Sequence, residues 1–169
     1  MKTSIFLMSF AAFICLSGCQ ATENQPTTNP EVASRNAAIK YDSILAAQYG
    51  ADDYGMKTYV MALLKRGPNR SLPAEEAKAL QQGHLDNINR MAEEGTLLLA
   101  GPFLDDGDIR GIYIFDVETV EEAEALTKTD PAIQAGSLEM ELKPWYGSAA
   151  LMDINALHSR LQKKSITDN

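Results

Sequence analysis

The chain has 169 residues, 45% of them apolar, with 15 Lys+Arg against 23 Asp+Glu and a formal charge of −8. That length suits one globular domain with attachments. The acidic balance excludes a nucleic-acid binder, which needs a basic face to neutralise phosphates.

Residues 1–18 read as an export signal. Lys2 opens it, Ile5 to Leu16 is apolar but short for a bilayer span, and Leu16-Ser17-Gly18-Cys19 closes it with small residues before a cysteine. The cysteine gives it the form of a bacterial lipoprotein signal, with cleavage before Cys19 and acylation of its sulfur. The alternative is an ordinary signal peptide in which Cys19 is incidental. A lipid on Cys19 makes a membrane the first expected partner. Gln20, rather than Asp, follows the cysteine, which by resemblance to enterobacterial lipoproteins favours the outer membrane, facing the periplasm. Cys15 and Cys19 are the only cysteines, so the processed chain is expected to rely on its core instead of disulfides.

Residues 19–36 carry the anchor and a tether rich in Thr, Asn, Glu and Pro, with almost nothing apolar. Residues 37–55 form an N-terminal extension. Ile39, Ile44, Leu45 and Tyr49 approximate one face of a helix over Ala37–Tyr49, and Gly50 is its stop.

The main domain spans residues 56–147. Met56 to Lys65 is a strand, apolar on both faces in its middle, and Gly67-Pro68-Asn69 breaks it. A helix over Pro73–Glu94 follows. Ala77, Leu80, His84, Ile88 and Met91 form its apolar stripe, Glu75 and Glu76 suit its N-terminal end, and Gly95 closes it. Gly83, beside His84, costs the helix about 1 kcal/mol against Ala and is expected to permit close packing. Thr96–Ala100 and Arg110–Val117 are strands joined as a hairpin across the acidic Asp105-Asp106-Gly107-Asp108 loop. Thr119 and Glu122 make a capping box for a helix to about Thr127. Leu138 to Trp145 is a half-exposed strand suited to a sheet edge. Residues 148–169 hold a terminal helix over Ala149–Lys164 and a frayed tail.

The order βαββαβ is the ferredoxin-like, split βαβ arrangement: an α+β fold with an antiparallel four-stranded sheet and two helices on one face. The other face is also apolar and must be covered. The same sheet of a second copy, packed by two-fold symmetry, is the expected cover, so a homodimer through the sheet face is expected. The terminal helices of the same chain are the rival cover.

His84 lies on an apolar stripe. An imidazole suits general acid–base work near neutral pH, but a buried histidine bonded to a backbone carbonyl is the plainer reading. Asp130, just before Pro131, reads equally as local turn chemistry. Asp105, Asp106 and Asp108 lack the spacing of a calcium loop and read as solvated. Arg66, Arg70 and Arg110 read first as surface residues, with contact to an anionic substrate as the alternative. His158 has no ligand-spaced partner. No phosphate loop, dinucleotide fingerprint or zinc pattern is present, so no cofactor or metal is expected.

Several stretches together resemble the YCII-related family of the dimeric α+β barrel superfamily. They are Gly50-Ala51-Asp52-Asp53-Tyr54-Gly55, Tyr59-Val60-Met61, His84-Leu85, Gly101-Pro102, Asp130-Pro131-Ala132 and Lys143-Pro144-Trp145. The resemblance covers roughly Met56 to Gly147. It implies a dimeric α+β barrel and a His–Asp pair, here His84 and Asp130, in a cleft between the two helices and the sheet. One resembling branch is linked to dehydrochlorination of a chlorinated hydroxyquinol. Asp130 would then orient the imidazole and stabilise its cation. With no Ser or Cys nucleophile tied to the pair, cofactor-free proton transfer on a small cyclic or aromatic compound is the expected chemistry: isomerisation, elimination or lactone opening. The pocket is expected to be largely apolar, bordered by Tyr59, Met61 and Phe103, with Arg66 as a further substrate contact. A non-catalytic ligand-binding or scaffold module of the cell envelope is the alternative.

Overall fold

A computed structural model describes residues 40–165. The expected export signal, Cys19 and the tether lie outside the described residues, as do Ala37–Ile39 of the first predicted helix. The elements below all fall in the unit that begins at Asp42.

Helix α1 is Ser43–Gln48, shorter than expected from the apolar spacing. Asp42 sets its start: its carboxylate accepts from the N–H groups of Ile44 and Leu45, both at 3.0 Å. Gly50, at φ +65, ends the segment. The helix buries none of its residues, and Ile44 is 81% exposed. Of the predicted apolar face, Ile44 and Leu45 are exposed, whereas Tyr49 is half-buried and hydrogen-bonded to Asp153 at the other end of the domain.

The domain then runs β1 (Met56–Arg66), α2 (Ala74–Glu93), β2 (Leu97–Pro102), β3 (Ile109–Phe115), α3 (Val120–Thr127), α4 (Pro131–Gln134) and β4 (Leu138–Ser148). The four-stranded sheet is ordered β2-β3-β1-β4, and each neighbouring pair is antiparallel. This is the expected ferredoxin-like α+β arrangement. As its half-exposed alternation suggested, β4 is an edge strand. It continues past the predicted end at Trp145 because β1 starts at Met56, which pairs with Ser148. The backbone groups at the start of β1 need those partners.

The pleat sorts β1 into two faces. Val60, Ala62 and Leu64 turn towards α2 and α3. They pack with Leu97, Tyr113, Phe115, Met91 and Ala123 in the larger core. Phe115 is wholly buried, a burial that contributes about 2–3 kcal/mol. The N-terminal half of α2 does not reach this core. Of its predicted stripe, His84 and Met91 are buried, whereas Ala77 is exposed and Leu80 half-buried. Beneath that half of the helix the sheet places the small residues Ala100 and Gly111. A Cβ at Gly111 would stand 2.5 Å from the Gly101 carbonyl oxygen, so no side chain can fill the space. A gap follows from these small residues.

The opposite face carries Tyr59, Leu98 and Ile114, packed with Leu151, Met152 and Ile154 from the end of the chain. That end is a 3-10 turn, Ala149–Asp153, followed by α5, Ile154–Leu161, where one long helix was expected. Asn155 donates from Nδ2 to the Leu97 carbonyl at 2.9 Å, where β2 bulges between Leu97 and Leu99. The rival cover named above thus occupies part of the second face. Leu63 and Ile112 remain half-buried at the other end, where Glu141 on β4 is ion-paired with both Lys65 and Lys143.

Candidate active site

Three elements converge on one buried cluster. Helix α2 brings His84. Its first turn carries Glu75 and Glu76 and its last turn Arg90, both placed in accord with the helix dipole. Pro73 occupies its N-cap position, and no side chain caps it. Helix α3 starts at the capping box of Thr119 and Glu122, as its sequence indicated, and leads to Asp130. Strand β3 brings Tyr113.

Asp130 has no exposed surface, and His84 is 8% exposed. Oδ2 of Asp130 lies 2.6 Å from Nδ1 of His84. Oδ1 accepts the backbone N–H of Ala132 at 2.8 Å and so caps α4, with Pro131 in its first turn. Turn chemistry and imidazole orientation were open alternatives for Asp130 in the sequence. One carboxylate does both, with one oxygen for each.

A carboxylate only accepts, so Nδ1 must carry the proton in this contact. Nε2 is then the free acceptor of the neutral ring. It faces the hydroxyl of Tyr113 at 3.3 Å, which donates to it. The phenol of Tyr113 is 2% exposed. Burial, and then the charge of Asp130, push its pKa well above the ordinary tyrosine value. Tyr113 therefore stays protonated and acts as a donor. Edge-on contact with Phe115, at 5.7 Å between ring centres, holds the phenol in place.

Two further contacts join α2 to the segment bearing Asp130. Thr129 donates to Oδ1 of Asn87 at 3.0 Å, and Arg90 donates to the Thr129 hydroxyl at 2.9 Å. Nδ2 of Asn87 is buried without a hydrogen-bond partner among the described residues. Closer to the pair, Gly83 faces Pro131: a Cβ there would lie 3.1 Å from Pro131 Cγ. The expected close packing at Gly83 is thus between α2 and α4.

The gap under α2 is a cleft of about 790 Å³. His84 and Tyr113 lie on its wall, with Leu64, Leu80, Leu85 and Ile88 supplying much of its apolar lining. Arg66, Arg70 and Arg110 also line it. Tyr59 and Met61 do not line it. They occupy the odd-numbered face of β1, which packs against the C-terminal segment. Phe103 is 44% exposed beside the hairpin loop and is also outside the cleft. None of the three expected border residues lines the cleft, whereas Arg66, the further expected contact, does. Tyr113 was missed as a site residue. Its signal was its place on the same strand face as Phe115, opposite Ala62 in the register.

The acidic loop is exposed but holds two arginines. Asp106 forms ion pairs with Arg66 and Arg110, and the carbonyls of Asp105 and Gly107 also accept from Arg110. Among the described residues no group of acidic, His or Cys side chains is arranged to hold a metal ion. His158 is exposed.

The YCII-related domain, as a family model, matches residues 58–146. The uncharacterized protein YjpA of Bacillus subtilis (strain 168) is 33% identical over 63 residues, covering 37% of this chain and 72% of that protein. Among solved structures, the 5-chloro-2-hydroxyhydroquinone dehydrochlorinase TftG of Burkholderia phenoliruptrix AC1100, in complex with 2,5-dihydroxybenzoquinone, is similar at a TM-score of 0.39. It shares 19% identity, with 51% of this chain and 92% of that chain covered.

Gly83→Ala tests how the pair is positioned. The helix gains about 1 kcal/mol from the substitution, while crowding Pro131 costs about 1–3 kcal/mol. We expect a stability within about 2 kcal/mol of the parent, together with a shifted or broadened low-field proton signal from Nδ1–H of His84. An unmoved signal with increased stability would show that Gly83 does not set the geometry.

Proposed function

This chain belongs to the YCII-related family, and on that footing we propose that it is a cofactor-free acid–base enzyme acting on a small cyclic or aromatic compound. The buried 2.6 Å contact between His84 and Asp130, on the wall of a mostly apolar cleft, carries the reading. Asp130 fixes the tautomer and stabilises the imidazolium once it forms. Nε2 takes a proton from a C–H or O–H of the substrate, and the electron pair of that bond moves into the substrate's ring. It either expels a leaving group, giving elimination, or collects a proton elsewhere, giving isomerisation. Tyr113, held neutral, gives up its long contact to Nε2 and donates to the oxygen on which charge develops. The low polarity around the pair strengthens each of these interactions.

The N-terminal segment and the sheet carry two companion proposals. The Leu16-Ser17-Gly18-Cys19 box supports a lipid anchor on Cys19, with the domain in the bacterial cell envelope, at the outer membrane facing the periplasm. The half-buried Leu63 and Ile112 support a homodimer that uses the part of the second sheet face left open by Leu151, Met152 and Ile154.

Turnover is to be sought among lactones and among chlorinated or hydroxylated aromatics. With a substrate in hand, His84→Gln and Asp130→Asn should each lower kcat by about 10²-fold or more, with the fold retained. Unchanged turnover in both variants would remove the catalytic pair and leave a ligand-binding module. Cys19→Ser should release the protein from the membrane fraction; fractionation like that of the parent would end the anchor proposal. Light scattering of the purified protein should give twice the chain mass, and a monomer would refute the dimer.

A further inference from the structure

Charge in the cleft is unevenly spread. Arg66 ends β1, Arg70 lies in the β1–α2 connection and Arg110 lies in β3, and all three line the same concavity. Backbone carbonyls hold them: those of Asp106 and Gly107 for Arg66, of Asp105 and Gly107 for Arg110, and of Ser137 for Arg70 at 3.0 Å. Such contacts aim a guanidinium but do not neutralise it. The one carboxylate paired with any of them, among the described residues, is Asp106, which Arg66 and Arg110 share. Its side chain is 92% exposed and is not part of the lining. Asp105 and Asp108 form no ion pair with the three. Among the described residues no carboxylate lines the cleft, and Asp130 is fully buried. Three cations, of which Arg70 is the most exposed, therefore border a mostly apolar space with one solvent-exposed counter-charge.

The register supplies the scale. Tyr113 pairs with Ala62, and Arg66 lies four residues further along β1, roughly 13 Å of strand at ~3.3 Å per residue. With Arg66 and Arg110 held at the Asp105–Gly107 loop, that span leaves room for a ring between the guanidinium groups and His84. A guanidinium fork matches a planar or tetrahedral oxyanion.

We infer that the cleft takes a small organic anion, its carboxylate or phosphate head seated at Arg66, Arg70 and Arg110 and its ring against His84 and Tyr113. This specifies the substrate class of the acid–base reading above and rests on it for the role of His84. A solvated set of surface arginines, the plainer reading of the sequence, would show no preference for anions within the cleft.

Calorimetric titration of the full chain with benzoate, phenyl phosphate and the neutral benzamide tests it. At low salt at least one anion should bind about tenfold or more tightly than benzamide, and salt should weaken that preference. Benzoate above phenyl phosphate identifies a carboxylate head; the reverse identifies a phosphate. Arg70→Gln and Arg110→Gln should each cost the anion about tenfold while leaving benzamide unchanged, and saturation should move the ring-proton signals of His84. Benzamide binding as tightly as the anions, no measurable anion binding, or both arginine variants binding anions like the parent would overturn the inference. The two readings separate cleanly. Arginine-dependent anion binding with turnover indifferent to His84→Gln removes the catalysis and keeps the anion seat. Turnover that needs His84 but shows no arginine dependence does the opposite.

Discussion

The Asp130 carboxylate is the constraint on which the rest of the site depends. A buried carboxylate is costly unless its oxygens are bonded. Here one oxygen starts α4 and the other holds the imidazole. The first contact is local to the turn, but the second is available only if α2 and α4 lie close together, and the bare Cα of Gly83 against Pro131 allows that approach. The same carboxylate adds to the burial of Tyr113 in keeping its phenol protonated. Helix start, histidine orientation and tyrosine protonation are thus consequences of one placement.

The helix-covered side of the sheet is divided in two. Large side chains, among them Phe115, Met91 and Leu97, close the half under the C-terminal part of α2. Ala100 and Gly111 leave the half under the N-terminal part open. His84 stands at the boundary, so its ring has core behind it and cleft before it. A histidine deeper in the core would meet no ligand, and one nearer the start of α2 would lose Asp130.

The fold was readable because its patterns were long and unambiguous. Alternation marked the strands, spacings of three and four marked α2, and Thr119–Glu122 marked the start of α3. The pairing of His84 with Asp130 was not readable from spacing, since the two are joined only through packing across 46 positions of chain; there the family resemblance supplied what periodicity did not. Helix α4 was hidden because Asp130-Pro131 ends one element and begins another within a residue or two. The pocket border was misplaced for a plainer reason. Tyr59 and Met61 share one parity on β1 and Arg66 has the other, so the pleat forbids all three from lining one cleft. Parity separates the faces, but only packing tells which face the helices cover. The open end of the cleft escaped notice because Ala77 and Leu80 keep the helical spacing of core residues while small residues stand opposite them.

The two faces of this sheet are finished by different parts of the chain. The side bearing His84 is built from β1 through β4, and the reverse side is capped by residues 149–161, which follow the last strand. The two responsibilities are therefore separable in descent. Drift, loss or replacement of the C-terminal cap bears first on how the reverse face is occupied, by its own chain or by another, and leaves the geometry around His84 to β1, α2, β3 and α4. A domain wired this way can change its company without changing its chemistry.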